Sequence, residues 1–132
     1  MKKQKYTFSD LLKIVSKLRS IEGCAWDRKQ THKSLIPYLK EETQEFVHAV
    51  KLNNHKEMAD ELGDILLQIV FHAQLGREKD LFTIDDVIQN ICRKLIRRHP
   101  HVFGNLKTRD IKVIIRNWNK IKAAEKRQKF KN

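Results

Sequence analysis

Two pairs of carboxylates dominate the chemistry available to this 132-residue chain. Glu42 and Glu45 form one pair, and Glu61 and Asp64 form the other, with the members of each pair three positions apart. On an α-helix this spacing places both members of a pair on the same face. Glu45 and Glu61 lie equally far along the sequence from Asn53, and so do Glu42 and Asp64. A helical hairpin that turns at Asn53 would therefore set the two pairs level with each other.

Such a cluster calls for a counter-charge. Glu42 falls inside an apolar stripe of the first helix, which comprises Leu35, Leu39, Phe46, Ala49 and Val50. A carboxylate in an apolar stripe must be protonated, paired or bound to a metal ion, and four clustered carboxylates cannot all ionise unaided. Oxygen-only ligands favour Mg²⁺ or Mn²⁺ over zinc. The alternative is that Lys40, Lys51 and Lys56 neutralise the cluster as ordinary ion pairs.

Two helices must position these carboxylates. The pattern predicts a first helix from Leu35 to Leu52, capped by Ser34 with Pro37 in its first turn, and a turn at Asn53-Asn54. The second helix should run from about Lys56 to Leu75 and end at Gly76. Between Ile65 and Phe71 only Gln68 is polar, which predicts a helix that is buried on every side. A chain of this size has too few other residues to surround such a helix. We therefore expect a homodimer or a dimer of dimers, with this helix at the interface.

The remaining segments also read as helices and loops. A helix capped by Thr7, with Asp10 in its first turn, should extend to about Ser20. We expect a loop over Ile21–Ser34. The next helix should run from Ile84 to about Arg98, with Thr83 as its cap and His99-Pro100 as its stop. Thr108 should cap the last helix, which we expect to fray beyond Ala124.

These elements predict an all-α fold: a four- to five-helix bundle in which an antiparallel helical hairpin carries the acidic metal site, assembling as a dimer. We expect residues 1–132 to form a single domain, with an ordered core over about residues 8–127. Residues 1–6 and 128–132 are expected to be frayed.

Charge is distributed unevenly along the chain. Residues 1–92 contain 14 Lys and Arg against 14 Asp and Glu, whereas residues 93–132 contain 14 against two and carry the whole net charge of +12. Such a segment attracts nucleotide phosphates, nucleic acid or an acidic membrane surface, or it is a solvated basic helix face. Cys24 and Cys92 have no metal-binding spacing, and no leader or membrane span is evident, so we expect a soluble cytoplasmic protein with reduced thiols that does not bind a membrane.

Several motifs together resemble the MazG-type nucleoside triphosphate pyrophosphohydrolases, an all-α family. The carboxylate pairs stand as Glu42-Thr43-Gln44-Glu45 and Glu61-Leu62-Gly63-Asp64. The resemblance covers roughly residues 8–127 and includes Gly23 to Asp27 with Gln30-Thr31-His32, the run Arg97 to Phe103, Asn117-Trp118, Lys122 and Glu125-Lys126. The run His99-Pro100-His101-Val102-Phe103 is typical of the first repeat in two-repeat members.

The resemblance implies hydrolysis of a nucleoside triphosphate to a monophosphate and pyrophosphate, with Mg²⁺ or Mn²⁺ held by Glu42, Glu45, Glu61 and Asp64. It implies phosphate contacts for Lys94, Arg98, Arg97 and Lys122, and a place near the base for Trp118. The resemblance also implies that the loop containing Trp26 approaches the nucleotide. We add Glu41 as a water-orienting candidate in catalysis, against the alternative of an exposed surface acid.

This sequence departs from the family pattern at three positions, where Ala25 replaces a usual proline, Gln44 a usual aromatic residue and His48 a usual acid. Two other functions therefore stay open. One is a basic helical module that binds nucleotides or nucleic acid through residues 93–132. The other is a structural dimer that does not turn over substrate. If the chain is an enzyme, hydrolysis of nonstandard nucleotides is its expected role.

Overall fold

The computed structural model describes residues 5–131 and is all-α, as predicted. Five of its helices are long, whereas α2 and α6 are short. The helices are α1 (Phe8–Leu18), α2 (Ala25–Lys29), α3 (Ile36–Lys51), α4 (His55–Glu78), α5 (Ile84–Arg98), α6 (Pro100–Phe103) and α7 (Ile111–Lys131). The chain divides into two compact units, the first ending at Ile84 and the second beginning at Asp85. The single domain expected over residues 1–132 stays a prediction.

The first unit is organised around α4, which packs against both α3 and α1. The buried core contains Val15 of α1, Leu35 before α3, and three residues of α4, Val70, Phe71 and Leu75. Helix α1 begins with a capping box, in which the Asp10 N–H donates to the Thr7 hydroxyl and the Thr7 N–H donates to the Asp10 carboxylate. Both the predicted cap and the acid in the first turn are confirmed.

The α3–α4 hairpin turns where the sequence predicted. Asn53 adopts the left-handed conformation, with φ of 53°, which asparagine tolerates better than most residues. The Asn54 side chain then caps α4 by accepting a hydrogen bond from the Glu57 N–H at 3.1 Å. These two residues fix the register of the hairpin, and with it the relative heights of the acidic residues on α3 and α4.

The prediction that Gly76 ends α4 is wrong, because the helix continues through this residue to Glu78. Gly76 is buried, and a Cβ atom there would lie 2.8 Å from the Phe82 ring. The glycine therefore allows Phe82 to pack closely against the helix. Without this contact, alanine would be more favourable at this helical position.

Helix α4 is not buried on every side within one chain, so its complete burial by a second copy stays a prediction. Leu62, Leu66 and Ile69 are 49%, 37% and 42% exposed, respectively. They follow one another at helical spacing and form an exposed apolar stripe on α4, whereas Gln68, Phe71 and Leu75 are buried on the opposite side. Within one chain, α3 and α1 cover only part of the apolar circumference of this helix.

The segment before α3 is more ordered than the predicted loop. It contains the short helix α2, and the buried Gln30 ties it together by donating to the Trp26 carbonyl and accepting from the Ser34 hydroxyl. Ser34 does not cap α3, because Leu35 occupies the cap position without a side-chain hydrogen bond. The Ser34 hydroxyl accepts from the Thr31 N–H instead. Pro37 lies in the first turn of α3, as predicted.

The second unit comprises α5, α6 and α7. Helix α5 ends at Arg98, as predicted, and Pro100 begins the short helix α6. Asp110, rather than Thr108, caps α7, because its carboxylate accepts from the Lys112 N–H and its carbonyl accepts from the Ile114 N–H.

Helix α7 continues to Lys131, where the sequence predicted fraying beyond Ala124. Residues 1–4 and Asn132, which belong to the predicted frayed ends, lie outside the described residues. None of the helices in residues 5–131 is both long enough and apolar enough to cross a lipid bilayer.

Candidate active site

The hairpin brings the four predicted metal ligands together. One carboxylate oxygen from each of Glu42, Glu45, Glu61 and Asp64 can be chosen so that all four atoms lie within 4.8 Å of one another. We call these residues the carboxylate quartet. Glu42 and Glu61 are partly buried, whereas Glu45 and Asp64 are exposed. The quartet therefore lies at the surface of the hairpin, with one ligand of each helix directed inward and one open to solvent.

One oxygen of each inward carboxylate lacks a hydrogen-bond partner among the described residues. The Oε2 atoms of Glu42 and Glu61 are buried, and neither has a hydrogen-bond partner in the described part of the chain. Burial, followed by the charges of Asp64 and Glu45, raises the pKa of Glu42. Burial, followed by a hydrogen bond with Glu45 and the charges of Glu45 and Asp64, raises the pKa of Glu61 to about 7. Orphaned carboxylate oxygens with raised pKa values indicate a site that lacks a counter-ion.

The alternative that lysines neutralise the quartet is wrong for the described residues. Lys40, Lys51 and Lys56 form no ion pair with any of the four carboxylates, and no other described Lys or Arg does so. The four acids therefore lie together without an ion pair to any Lys or Arg of residues 5–131, although the chain contains 28 Lys and Arg residues. This donor set fits a hard divalent cation, because it is made only of carboxylate oxygens close enough to share one ion.

A cavity of about 520 Å³ adjoins the quartet on the side of the Asn53-Asn54 turn. Glu45 and Glu61 contribute to its wall, together with the predicted Glu41. The other polar residues that line it are Gln44, His48, Asn54 and Glu57. Two of these, Gln44 and His48, are the departures from the family pattern noted above. Sequence reasoning missed Glu57, although its position one turn before Glu61 could have revealed it.

A second cavity, of about 430 Å³, lies in the second unit between α5 and α7. Four residues predicted to contact phosphate line it, namely Lys94, Arg97, Arg98 and Lys122. Lys126 and Lys129 add two further cations that the sequence reasoning did not assign, and Asn119 and Glu125 complete the polar lining. We call this space the cationic cavity. Six positive side chains against one carboxylate create a field that attracts polyanions.

Glu125 occupies a central place in this cavity. Its Oε2 accepts a hydrogen bond from Arg97 Nη2 at 3.0 Å, and its Oε1 accepts one from Arg98 Nε at 2.9 Å. Burial raises the pKa of the Glu125 carboxyl, but the hydrogen bonds from Arg98 and Arg97 outweigh it and leave the pKa below its ordinary value. Glu125 was part of a family motif in the sequence, but no role could be predicted for it, because its partners lie on another helix.

The two predicted aromatic residues have different surroundings. Trp118 carries the Arg98 guanidinium 5.8 Å above its ring, and His99 meets it edge-on at 4.9 Å. Trp118 therefore belongs to the same group of side chains as the cationic cavity. Trp26 is half exposed and contacts Tyr38 edge-on at 5.6 Å. No described contact joins Trp26 to the quartet, so its role near a nucleotide stays a prediction.

The fold and the quartet together define a class of all-α proteins in which an acidic helical hairpin can bind a divalent cation. The MazG nucleotide pyrophosphohydrolase domain family matches residues 30–103. The chain belongs to this family, and the resemblance noted from its motifs is confirmed.

Named relatives agree with this assignment. The chain is 54% identical over 98% of its length to the nucleoside triphosphate pyrophosphohydrolase/pyrophosphatase MazG of Thermotoga maritima, and covers 49% of that protein. It is 40% identical over 90% of its length to the nucleoside triphosphate pyrophosphohydrolase of Escherichia coli K12, and covers 46% of it. The chain thus spans about half the length of these curated relatives.

A solved structure supports the fold. The crystal structure of a MazG-related protein from Thermotoga maritima superimposes with a TM-score of 0.72 at 26% identity. The match covers 87% of this chain and 98% of the other.

Proposed function

We propose that this protein is a Mg²⁺-dependent nucleoside triphosphate pyrophosphohydrolase. The observation that carries the proposal is the convergence of four carboxylates within 4.8 Å, none of which forms an ion pair with a Lys or Arg among the described residues. The names of the relatives from Thermotoga maritima and Escherichia coli supply the reaction class. In this reaction a water oxygen bonds to the α-phosphorus, and the bond from that phosphorus to the bridging oxygen breaks. The products are a nucleoside monophosphate and pyrophosphate.

The carboxylate quartet would hold the divalent cation, with Glu42 and Glu45 as ligands from α3 and Glu61 and Asp64 as ligands from α4. Mg²⁺ fits this oxygen-only set, and Mn²⁺ fits it as well. When bound, the cation supplies electrostatic stabilisation for the negative charge that develops on the phosphate oxygens. The unpartnered Oε2 atoms of Glu42 and Glu61 are the feature of this chain that a bound cation would satisfy.

Other residues of the chain handle the substrate and the attacking water. Glu41 lines the cavity next to Glu45 and Glu61, where its carboxylate can orient a water molecule and accept its proton. The cations Lys94, Arg97, Arg98 and Lys122 bind phosphate oxygens and stabilise the leaving pyrophosphate. Trp118 stacks near the base, and Trp26 approaches the nucleotide from its loop. The roles of the four cations and the two tryptophans follow the family resemblance. The lining of the cationic cavity supports the four cations, and the lining of the cavity beside the quartet supports Glu41.

The test is to incubate the protein with each common and nonstandard nucleoside triphosphate in the presence of Mg²⁺ and to measure released pyrophosphate. We expect pyrophosphate and the matching monophosphate in equal amounts. Preference for a nonstandard base would support a role in removing such nucleotides from the cell. Absence of turnover with every triphosphate, or unchanged turnover in Glu42→Gln, would reject the proposal.

We further propose that two copies associate through the exposed apolar stripe on α4. Leu62, Leu66 and Ile69 lie on one side of α4 and are 37–49% exposed. Burial of such a stripe against a second copy removes apolar area from water, which is the main driving force for association. Sedimentation should show a dimer or a dimer of dimers at micromolar concentration, and Leu66→Glu should shift it to the monomer. A wild-type monomer would refute the interface.

A second candidate function is nucleic-acid binding by residues 93–132, which carry the whole net charge of +12. Binding of this kind weakens steeply as salt rises, because it releases counter-ions from the phosphate backbone. It is also indifferent to Mg²⁺ at the quartet. Titration with single-stranded DNA at several salt concentrations, with and without Glu42→Gln, separates it from triphosphate hydrolysis. The cytoplasmic location expected from the sequence stays a prediction.

A further inference from the structure

We propose that Glu125 is a positioning residue that holds the Arg98 guanidinium ready for a phosphate group. The inference rests on the proposed function, because it assumes that the cationic cavity receives the phosphates of a triphosphate or the leaving pyrophosphate. It assigns a role to a residue of α7 that acts through an arginine of α5. This role depends on which Arg98 nitrogen atoms Glu125 contacts and which it leaves available.

The contact between Glu125 and Arg98 uses one edge of the guanidinium. Both carboxylate oxygens of Glu125 accept from Arg98 Nε, at 2.9 Å and 3.2 Å. The terminal Nη atoms of Arg98 have no acceptor among the described residues. A guanidinium recognises phosphate best with two parallel N–H groups, and its terminal Nη–Nη edge provides such a fork. Glu125 thus fixes the arginine while leaving this edge for an incoming anion.

The plane of the guanidinium is fixed by a second contact. The Trp118 ring lies 5.8 Å from the Arg98 Cζ, and His99 supports this ring edge-on at 4.9 Å. A carboxylate at Nε and an aromatic face beneath the group restrict both its direction and its tilt. A side chain held in this way loses less rotamer freedom when it binds a ligand.

Glu125 also keeps two like charges close together. Arg97 and Arg98 are adjacent in the sequence, and both line the cationic cavity with four lysines. Glu125 accepts from Arg97 Nη2 at 3.0 Å while it holds Arg98, so a single carboxylate bridges two guanidinium groups. The side chains of Glu125 and Arg98 are only 20% and 21% exposed, so solvent screens this bridge less than it screens an ordinary surface pair. Without Glu125, mutual repulsion would drive the two arginines apart.

A merely structural role predicts a different behaviour. If Glu125 only joined α7 to α5, its loss would change stability and leave anion affinity untouched in the folded protein. If it only competed with phosphate for the arginines, its loss would strengthen anion binding. The positioning role predicts weaker anion binding, and it predicts that a neutral side chain with an acceptor oxygen restores part of the affinity.

The experiment compares Glu125→Ala with Glu125→Gln in the full chain. Both variants lose the same charge, but the Gln amide oxygen can still accept from Arg98 Nε, so their difference isolates geometry from electrostatics. The probe is inorganic tripolyphosphate, titrated calorimetrically in the absence of divalent metal. We expect Glu125→Ala to bind it more weakly than Glu125→Gln by a factor on the order of ten. The difference should vanish when Arg97 and Arg98 are both replaced by alanine, because Glu125 acts through them.

Glu78→Ala is the matched control, since Glu78 forms an analogous pair with Arg19 in the first unit. It should leave tripolyphosphate affinity at the wild-type value. Three results would each overturn the inference. The folded Glu125→Ala and Glu125→Gln variants could bind tripolyphosphate equally well, Glu125→Ala could bind it more tightly than Glu125→Gln, or the wild type could fail to bind it. None of these measurements needs turnover. Absence of hydrolysis would therefore reject the proposed function and leave the binding test of Glu125 unaffected. A KM that rises in Glu125→Ala at unchanged kcat would extend the result to the reaction.

Discussion

The quartet and Glu125 show the same functional group in opposite electrostatic settings. At the quartet, four carboxylates meet without a cation among the described residues, and the pKa of Glu61 rises to about 7. In the second unit, one carboxylate meets two arginines, and the pKa of Glu125 lies below its ordinary value although burial alone would raise it. The composition of the chain does not explain the difference, because cations outnumber acids overall.

The contrast teaches how to separate structural carboxylates from functional ones in this fold. A carboxylate that is satisfied by the protein contributes to the folded state and needs no ligand. A cluster that the protein leaves unsatisfied is unfavourable for folding, and such clusters are typical of functional sites. Arg19 and Glu78 in the first unit repeat the satisfied pattern, with a separation of 2.6 Å and a lowered pKa for Glu78. The satisfied and the unsatisfied patterns thus occur on the same helix, since Glu61 and Glu78 both belong to α4.

The largest effect should come from removing a charge of the quartet. Glu42→Gln and Glu61→Gln each keep the shape of the site but lose an anionic ligand, and we expect pyrophosphate release to fall by about a hundredfold or more, because even residues that only support metal ligands contribute 10- to 100-fold. Initial rates with saturating Mg²⁺ measure this. Asp60→Asn is the control, since Asp60 is an exposed neighbour of Glu61 outside the quartet. Equal losses in Asp60→Asn would remove the distinction between the quartet and other acids of α4.

Metal binding should also stabilise the folded protein. A ligand present at a hundred times its Kd adds about 2.7 kcal/mol to the free energy of unfolding. For a chain of this length that corresponds to a rise in Tm of roughly 10 °C. Thermal unfolding with Mg²⁺ and with EDTA measures the shift, and the double variant Glu42→Gln, Glu61→Gln should show none. A variant that Mg²⁺ stabilises as much as the wild type would place the metal elsewhere.

The two kinds of carboxylate should respond to pH in opposite directions in metal-free protein. The folded state holds a proton on Glu61 between its ordinary pKa of 4.5 and about 7, so this group weakens the folded state as pH rises through that range. The pKa of Glu78 is lowered by the hydrogen bond from Arg19, so its contribution is present above the ordinary pKa and is lost as pH falls.

Urea unfolding in EDTA from acidic to neutral pH measures both slopes. Compared with the wild type, Glu61→Gln should gain stability towards neutral pH, and Glu78→Gln should lose stability there. If the free energy of unfolding changes in the same direction in both variants at neutral pH, the two carboxylates do not differ in the way proposed.

The smallest effect should come from an exposed ion pair. Lys17 and Glu22 are 68% and 79% exposed and lie 3.5 Å apart. Solvent screens such a pair, so Glu22→Gln should change the free energy of unfolding by less than about 0.5 kcal/mol. Chemical denaturation at moderate salt checks this value. A loss as large as that in Glu78→Gln at the same pH would mean that burial does not separate the two kinds of pair.

Local rules account for the part of the site that the sequence predicted. The spacing of Glu42 and Glu45, the spacing of Glu61 and Asp64, and the turn at Asn53 are short-range features. They predict that the two pairs lie level with each other, and in the structure the four carboxylates meet. The caps at Thr7 and Asn54 are equally local.

The errors have long-range causes. Gly76 looked like a helix end because glycine often ends helices, but Phe82 explains its presence inside α4. Arg98 and Glu125 are 27 positions apart, and His32 and His72, whose Nδ1 atoms lie 2.8 Å apart, are 40 positions apart. Pairs of this kind depend on how helices pack against each other, which the periodicity of a single helix does not specify.

Titration with Mn²⁺, with the free ion followed by electron paramagnetic resonance, tests the central claim most directly because it counts bound cations without turnover. The account predicts saturable binding by the wild type, with affinity that rises with pH towards neutrality as Glu61 gives up its proton, and a large loss of binding in Glu42→Gln and Glu61→Gln. Wild-type protein that leaves all Mn²⁺ free, or variants that bind it as the wild type does, would contradict the account.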